Sequence, residues 1–346
     1  RSLNVAVIGA PNVGKSLVTN QLVRAAVSAV SSKMDTTTKN VCAALSEDDI
    51  QLIVVDSPGT VGITHARKVM GLSKGDDGIL DDPEYALTKA DHVLVVQDAT
   101  APGDYIHHRV IHLLHRHSHI PSSLIDLVHD RSELLELTRI LTKGKVDGKE
   151  IKTVQSTIGR LFVGYCNVRR YSAGKYITYR TVTNSLRSVI ATPASRVGFA
   201  TTKQLFMNER GWASFGAVFF VSALTSEGIE GLRDHLKELS IHREWRMDES
   251  ALTTMKPHVI CEQSVRAALL DTLPSDVAYR LRPKVTEWKE EGEVLQVVVD
   301  IECEKERIAR LLVGKGGSKV VEIGRRVNDH MASLFQRQLF VRILIK

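Results

Sequence analysis

Apolar residues in this chain come in short, dense runs separated by glycine-bearing loops and by stretches of helical character. Leu3 to Ile8, Gln51 to Val55, His92 to Gln97 and Phe219 to Val221 are each of strand length, and helical segments such as Leu17 to Val27 lie between them. Strands alternating with helices predict an α/β unit built on a doubly wound, mostly parallel sheet, with its ligand at the C-terminal ends of the strands. The rhythm changes after the helix expected over Gly231 to Leu239. A polar stretch, Ser240 to Pro257, reads as a linker. Beyond it the pattern predicts a helix from Ile260 to Asp271, a strand around Val277 to Trp288, a turn at Glu291-Gly292-Glu293 and a strand from Val294 to Glu302. In that strand Val297 and Val299 share one face, and Val298 and Asp300 the other. Two helices separated by Gly314-Lys315-Gly316-Gly317 follow, and a strand from Leu339 to Ile345 closes the chain. The expected organisation is residues 1–239, a linker at 240–257, and a second α+β unit at 258–346.

The candidate chemistry sits at the strand ends. Gly9-Ala10-Pro11-Asn12-Val13-Gly14-Lys15-Ser16 directly follows the first strand and runs through Leu17 into a helix. Gly9 and Gly14 let the main chain wrap a phosphate, and amide groups and the helix N-terminus face the anion. Lys15 reaches the outer phosphates, and Ser16 offers its hydroxyl to Mg2+. The second apolar strand ends in Asp56-Ser57-Pro58-Gly59, where the carboxylate can hold Mg2+ through water and the Gly59 N–H can meet the terminal phosphate. Asp35-Thr36-Thr37-Thr38-Lys39 lies between the two motifs, placed to bring a threonine onto the metal.

Composition narrows the field modestly. Hydrophobic residues make up 43% and charged residues 25% of the 346 positions, which suits two folded cores, and no apolar run is long enough to span a bilayer. The four cysteines, Cys42, Cys166, Cys261 and Cys303, are widely spaced with no CxxC, which argues against a metal site or disulfide framework. A net charge of +6 hints at a polyanionic partner. The first residue is Arg1 rather than methionine, so any targeting segment is expected to have been removed or left out.

Taken together, PNVGKS in the loop, the paired threonines, DSPG and the late Ser222-Ala223-Leu224 resemble the guanine-nucleotide motifs of translation-factor-like GTPases, and within them the Era family. The resemblance implies GTP and GDP as ligands with Mg2+, and Thr37 as the switch threonine on the metal, with Thr36 in reserve. It also implies Ser222, Ala223 and Leu224 behind the guanine ring, and K+ beside the phosphates through Asn12. Lys15, Thr37 and Gly59 would be the catalytic set. Thr60 and Val61 follow Gly59 where a glutamine would otherwise orient the attacking water, so slow hydrolysis is expected. The family's guanine-specifying Asn-Lys-x-Asp is absent between Asp91 and Ser222. Its nearest remnant is Ile120-Pro121-Ser122-Ser123-Leu124-Ile125-Asp126. Our reading is that a short piece is missing and that Asp126 is the surviving carboxylate for the guanine N–H pair; the alternative is that Asp126 starts the next helix.

Residues 151–210 carry ten Lys or Arg against the single acid Glu209, with Tyr165, Tyr171, Tyr176 and Tyr179 interleaved, and show no clear periodicity. They read as an insertion, either a flexible loop or a single-stranded RNA contact. The C-terminal order α, β, β, α, α, β with GKGG between its central helices resembles the prokaryotic (type II) KH domain. In that setting Gly314, Lys315, Gly316 and Gly317, with Lys319 beside them, clamp about four nucleotides of RNA backbone. Arg325, Arg326 and Arg337 are further phosphate candidates, or only a solvated helix face. The family reading implies a monomer that binds small-subunit rRNA near its 3′ end and assists assembly of the small ribosomal subunit. It adds a peripheral contact with the inner membrane and a location in the mitochondrial matrix, with the bacterial cytoplasm as alternative. The competing readings are an RNA-binding scaffold with a degenerate, non-hydrolysing GTPase domain, and an ATP-driven RNA factor.

Overall fold

The computed structural model describes residues 1–31, 40–60, 78–99, 103, 105–127, 134–151, 186–194, 196–292, 294–303 and 305–346. Its first unit is a six-stranded sheet in the order β2-β3-β1-β4-β5-β8. The strands that position the site are β1 (Ser2–Gly9), β2 (Val41–Glu47), β3 (Ile50–Asp56), β4 (His92–Asp98), β5 (Ser122–Leu127) and β8 (Phe215–Val221); β6 (Lys145–Val146) and β7 (Lys149–Glu150) form a small separate hairpin. Neighbours run parallel throughout the main sheet except β2 on β3.

All eight residues of β1 are buried because the sheet is covered on both faces. Leu3, Val5 and Val7 point to a core shared with Val18 and Leu22 of α1 (Lys15–Val23) and with Leu232 and Leu236 of α6 (Ile229–Glu238). Ala6 and Ile8 point the other way, into a core with α2 (Gly78–Thr88), α3 (His108–Arg116), α4 (Leu134–Leu141) and α5 (Phe199–Phe206). Strand order reverses at β1, so the loop that leaves it opens into a crevice at the carboxyl end of the sheet.

Where the sequence offers no periodicity, the last part of the insertion is nonetheless structured. Residues 186–191 are helical, α5 follows, and Ala194, Val197 and Phe206 are buried. The reason lies in the partner element. Arg109 of α3 donates to the carbonyls of Ala194 (2.7 Å) and Val197 (3.1 Å), Arg116 donates to Ile190 O (3.0 Å), and His112 Nε2 bonds Val189 O (2.9 Å). Main-chain oxygens make the polar part of this contact, beside packing by Ala194 and Phe206, and bonds to a carbonyl leave no trace in the side-chain pattern. The expected tyrosine-rich stretch and Cys166 lie outside the described residues.

The stretch expected to be a plain linker is seated on the sheet. Ser2 and Ile241 exchange main-chain bonds (2.9 and 3.1 Å). Gln51 donates to Met247 O (2.8 Å) and accepts from the N–H groups of Arg246 and Met247 (3.0 and 3.1 Å). Farther along, Ala44 N–H donates to Leu252 O (2.8 Å), and the Thr253 hydroxyl to Cys42 O (2.6 Å).

The second unit consists of α7 (Pro257–Thr272), the short α8 (Ser275–Ala278), β9 (Pro283–Glu291), β10 (Val294–Ile301), α9 (Glu306–Val313), a 3-10 turn at Lys315–Gly317, α10 (Ser318–Phe335) and β11 (Gln338–Ile345). This is the order the sequence predicted, as a three-stranded sheet β11-β10-β9 with β10 parallel to β11 and antiparallel to β9. The first strand begins at Pro283 rather than near Val277, because Ser275–Ala278 turns as a helix behind Pro274. Ile323, Val327 and Met331, spaced at i, i+4 and i+8, bury one face of α10 against Val265, Leu269, Val297 and Val299. Asp300, on the face opposite Val297 and Val299, is buried and paired with the Lys346 ammonium. Cys261 lies in this core with its thiol pushed up to about 12 by burial.

Candidate functional site

At the end of β1 the backbone turns through left-handed conformations at Asn12 (φ 61°) and Gly14 (φ 83°), and α1 starts at Lys15. Successive turns of this kind point amide groups inward, the geometry of an anion nest. Gly9 is required by space: a Cβ there would stand 2.5 Å from the carbonyl oxygen of Val96. Lys15 is only 6% exposed, and its ammonium donates to Ala10 O at 2.8 Å across the mouth of the loop. Pro11 and Leu17 are half-buried and Val13 is buried, so the loop is fastened to the core by its apolar members.

The second loop closes against the first. Ser57 donates its hydroxyl to Val7 O (2.6 Å), Thr60 N–H reaches Gly9 O (3.4 Å), and a Cβ on Gly59 would meet Pro11 Cα at 2.7 Å. Pro58 is buried between them. Asp56, at the tip of β3, is fully buried, and neither carboxylate oxygen makes a hydrogen bond. Burial pushes its pKa up; the Ser16 hydroxyl, the Lys15 ammonium and the Ser28 hydroxyl pull it down without overcoming that. A buried anion whose oxygens make no hydrogen bond is costly. A divalent cation between Asp56 and Ser16 would supply the missing partner, so the residues present fit Mg2+. Thr36 and Thr37, the expected switch residues, lie outside the described residues.

At the far side of the crevice, Ser222 N–H bonds Glu227 O (2.9 Å), Ala223 is buried, and Leu224 is 76% exposed. Gln21 of α1 donates to Ala223 O (3.1 Å) and accepts from the Ser226 hydroxyl (2.9 Å). Arg233 of α6 donates to the carbonyls of Leu22 (3.0 Å) and Gln21 (2.8 Å), a buried cation at the C-terminal end of α1. These two residues lock the phosphate-loop helix to the Ser222 loop. Sequence reasoning missed both, because a glutamine and an arginine on helices carry no local mark of a long-range role.

Asp126 belongs to β5 in register with Gln97 and Phe220, one step beyond the level of Gly9, so it shares the sheet end with Asp56 and Ser222. The alternative that it starts the next helix does not hold, since α4 begins at Leu134.

The GKGG turn joins α9 to α10 with Gly314 (φ 73°), Gly316 (φ 62°) and Gly317 (φ 81°) all left-handed. Gly314 N–H closes α9 on Arg310 O (3.0 Å) and Gly317 caps α10. Lys315 stands exposed, nothing lies within 4 Å of where a Cβ on Gly316 or Gly317 would be, and the Lys319 side chain covers Gly314. Val313 and Val321 leave apolar surface exposed beside the turn. Of the basic residues on α10, Arg326 pairs with Glu322 (2.8 Å) and Asp271 (3.4 Å); Arg337, just beyond it, pairs with Glu290 (3.4 Å). Among the described residues no group of His, Cys, Asp and Glu is arranged to ligate a metal, and no helix is long and apolar enough to cross a membrane.

Comparison with known proteins bears on both units. Residues 4–129 match the family described as 50S ribosome-binding GTPase. The whole chain is 49% identical to "GTPase Era, mitochondrial" of Caenorhabditis elegans, spanning 89% of that protein. It is 30% identical, over 99% of its length, to the protein of the same name in Salmo salar, spanning 76% of it. Among solved structures, Era of Aquifex aeolicus bound to GDP.AlF4- superposes with a TM-score of 0.65 at 17% identity, covering this whole chain and 93% of that one. Era in complex with MgGDPNP and nucleotides 1506–1542 of 16S ribosomal RNA gives 0.64 at 18% identity with the same coverage.

Proposed function

The chain belongs to the Era family of GTPases, enzymes that hydrolyse GTP to GDP and phosphate, and from that premise we propose that it grips small-subunit rRNA through the GKGG turn under control of its nucleotide. In this reading it is an assembly factor for the small ribosomal subunit. Relatives named as mitochondrial support a mitochondrial location, and the matrix is the compartment where such an rRNA would be met. The observation that carries the nucleotide half is the buried, unpartnered carboxylate of Asp56 beside Lys15 and Ser16.

Within that site Lys15 and the amides from Ala10 to Ser16 hold the phosphates, and Gly59 offers its N–H to the terminal one. Ser16 and Asp56 would hold Mg2+, with Thr37 as the switch ligand, and Asn12 would face K+. When bound, Mg2+ supplies charge neutralisation at the phosphates. Thr60 is buried and its N–H is taken by Gly9 O, so it is badly placed to orient water; slow hydrolysis follows. Ser222, Ala223 and Leu224 would back the base, and Asp126 would accept its N–H pair. Lys315 and Lys319 would contact RNA phosphates around Gly314, Gly316 and Gly317.

The missing Asn-Lys pair favours a second reading, an RNA-binding scaffold whose nucleotide domain no longer turns over. Phosphate release compared with Lys15→Ala separates the two: equal rates would leave the scaffold. Competition of ATP against GTP tests the base side, where equal affinity would remove Asp126 from its assigned role. Tighter RNA binding with a non-hydrolysable GTP analogue than with GDP is expected, and identical affinities would remove nucleotide control.

A further inference from the structure

Both ligand loops stand at the N-terminus of a helix, the phosphate loop before α1 and the GKGG turn before α10. The other ends of these two helices meet across the boundary between the units. Just past α1, the carbonyl of Ala26 lies 2.6 Å from Nε2 of His330 in α10, and His330 Nδ1 lies 2.8 Å from the Ser264 hydroxyl of α7. A carbonyl only accepts, so Nε2 carries the proton. In the neutral ring that burial favours, Nδ1 then accepts from Ser264, and both ring nitrogens are committed. His330 sits roughly 18 Å along the helix from Ser318, at 1.5 Å per residue.

A second tie lies one turn back. Arg326 of α10 pairs with Asp271 of α7 (3.4 Å), and Asp271 accepts from the Ser31 hydroxyl (2.8 Å). Leu334 packs against the apolar cores of both units, and a cavity of about 680 Å³ opens between α1, α6 and the end of α10, lined in part by Gln21, Arg24, Arg233 and Gln336. Apolar packing at Leu334 tolerates sliding, and the cavity gives it space. The hydrogen bond at Ala26 does not, because its strength falls steeply with angle and a half-buried imidazole left unpaired is costly.

We propose that His330 is a positioning residue that joins the two helices into one lever, so that the chain Ala26–His330–Ser264 sets the aim of the GKGG turn according to the position of α1. The proposal rests on nucleotide control of RNA binding and names the residues that transmit it. The made and broken bond supplies the discrete two-state element that such coupling requires.

The test is the ratio of RNA dissociation constants with GDP and with a non-hydrolysable GTP analogue, read with a fluorescent single-stranded RNA from the 3′ end of small-subunit rRNA. Wild-type chain, His330→Leu, His330→Gln and Ser264→Ala are compared, with thermal melts to show that each folds. A wild-type ratio of about tenfold, ordinary for coupled sites, should collapse to within about twofold of one in His330→Leu. It should be partly restored in His330→Gln, whose amide can still donate to Ala26. By reciprocity, RNA should lose its effect on analogue affinity in His330→Leu by the same factor. A wild-type ratio above one that His330→Leu leaves intact overturns the lever alone. A wild-type ratio of one overturns the parent reading and the lever with it.

Discussion

Two glycine loops in this chain are proposed to meet phosphate, and they stand in opposite surroundings. The first is wedged between strands and a second loop, with Lys15 almost wholly buried and an unpartnered carboxylate beneath it. The second stands off the surface, with Lys315 in water and open space around Gly316 and Gly317. A lysine at low effective dielectric interacts with an anion several times more strongly than one in bulk water, and salt screens it far less. The same residue type can therefore enclose a nucleotide in one place and only track a backbone in the other.

Lys15→Ala should break this contrast most severely, lowering the rate of phosphate release by about 10²–10³-fold, as loss of a buried charge-stabilising donor does elsewhere. A loss below about tenfold would mean that the loop does not enclose its ligand. Acid should act next, and chiefly on the first unit, which holds His92 and His107. Burial holds the folded pKa of His92 and of His107 at about 4, below the ordinary 6.5, so unfolded chain binds more protons between those values. Stability is then full above pH 6.5 and falls as pH drops towards 4, by about 2 kcal/mol per histidine at pH 5. Urea denaturation at pH 7 and pH 5 measures it, with the loss reduced in His107→Gln; equal stability at both values contradicts the neutral assignment.

Asp56→Asn should act in two directions. Retention of nucleotide with Mg2+ should fall, while the nucleotide-free protein, relieved of a buried charge that makes no hydrogen bond, should gain about 1–2 kcal/mol in thermal denaturation with chelator present. Loss of stability instead would show that Asp56 already has its partner within the protein. Lys315→Ala should do least. RNA affinity should drop several-fold and the log–log salt slope flatten by about 0.7, with GTP turnover unaltered. An unchanged slope would move the RNA contact away from the turn.

What could be read beforehand was whatever depends on neighbours in the chain. The phosphate loop, DSPG and GKGG declare themselves because consecutive residues must adopt particular backbone conformations, and the strand runs do so because each β1 side chain is buried on one face or the other. Hidden from such reading were the residues whose partners are distant. Gln21, Arg233 and His330 look like ordinary helix-surface positions until the fold places a carbonyl opposite each. The carbonyls of Val189, Ile190, Ala194 and Val197 are held by side chains of α3, a tie no residue pattern records, and the cation that pairs with Asp300 comes from the last residue of the chain. Asp126 is an intermediate case. Its type and approximate level at the sheet end were legible, whereas its place within β5 needed the strand register.

The seating of residues 240–257 has a practical corollary for how this protein can be divided. β2 has β3 on one side only, and on the other its main chain is met by Leu252 and Thr253. Cutting the chain at Leu239 would strip that cover and leave a bare rung of N–H and C=O groups, an invitation to edge-to-edge association between copies. A fragment carried on to Lys256 keeps its own hem. By that measure the tether is also the selvedge of the nucleotide-binding unit.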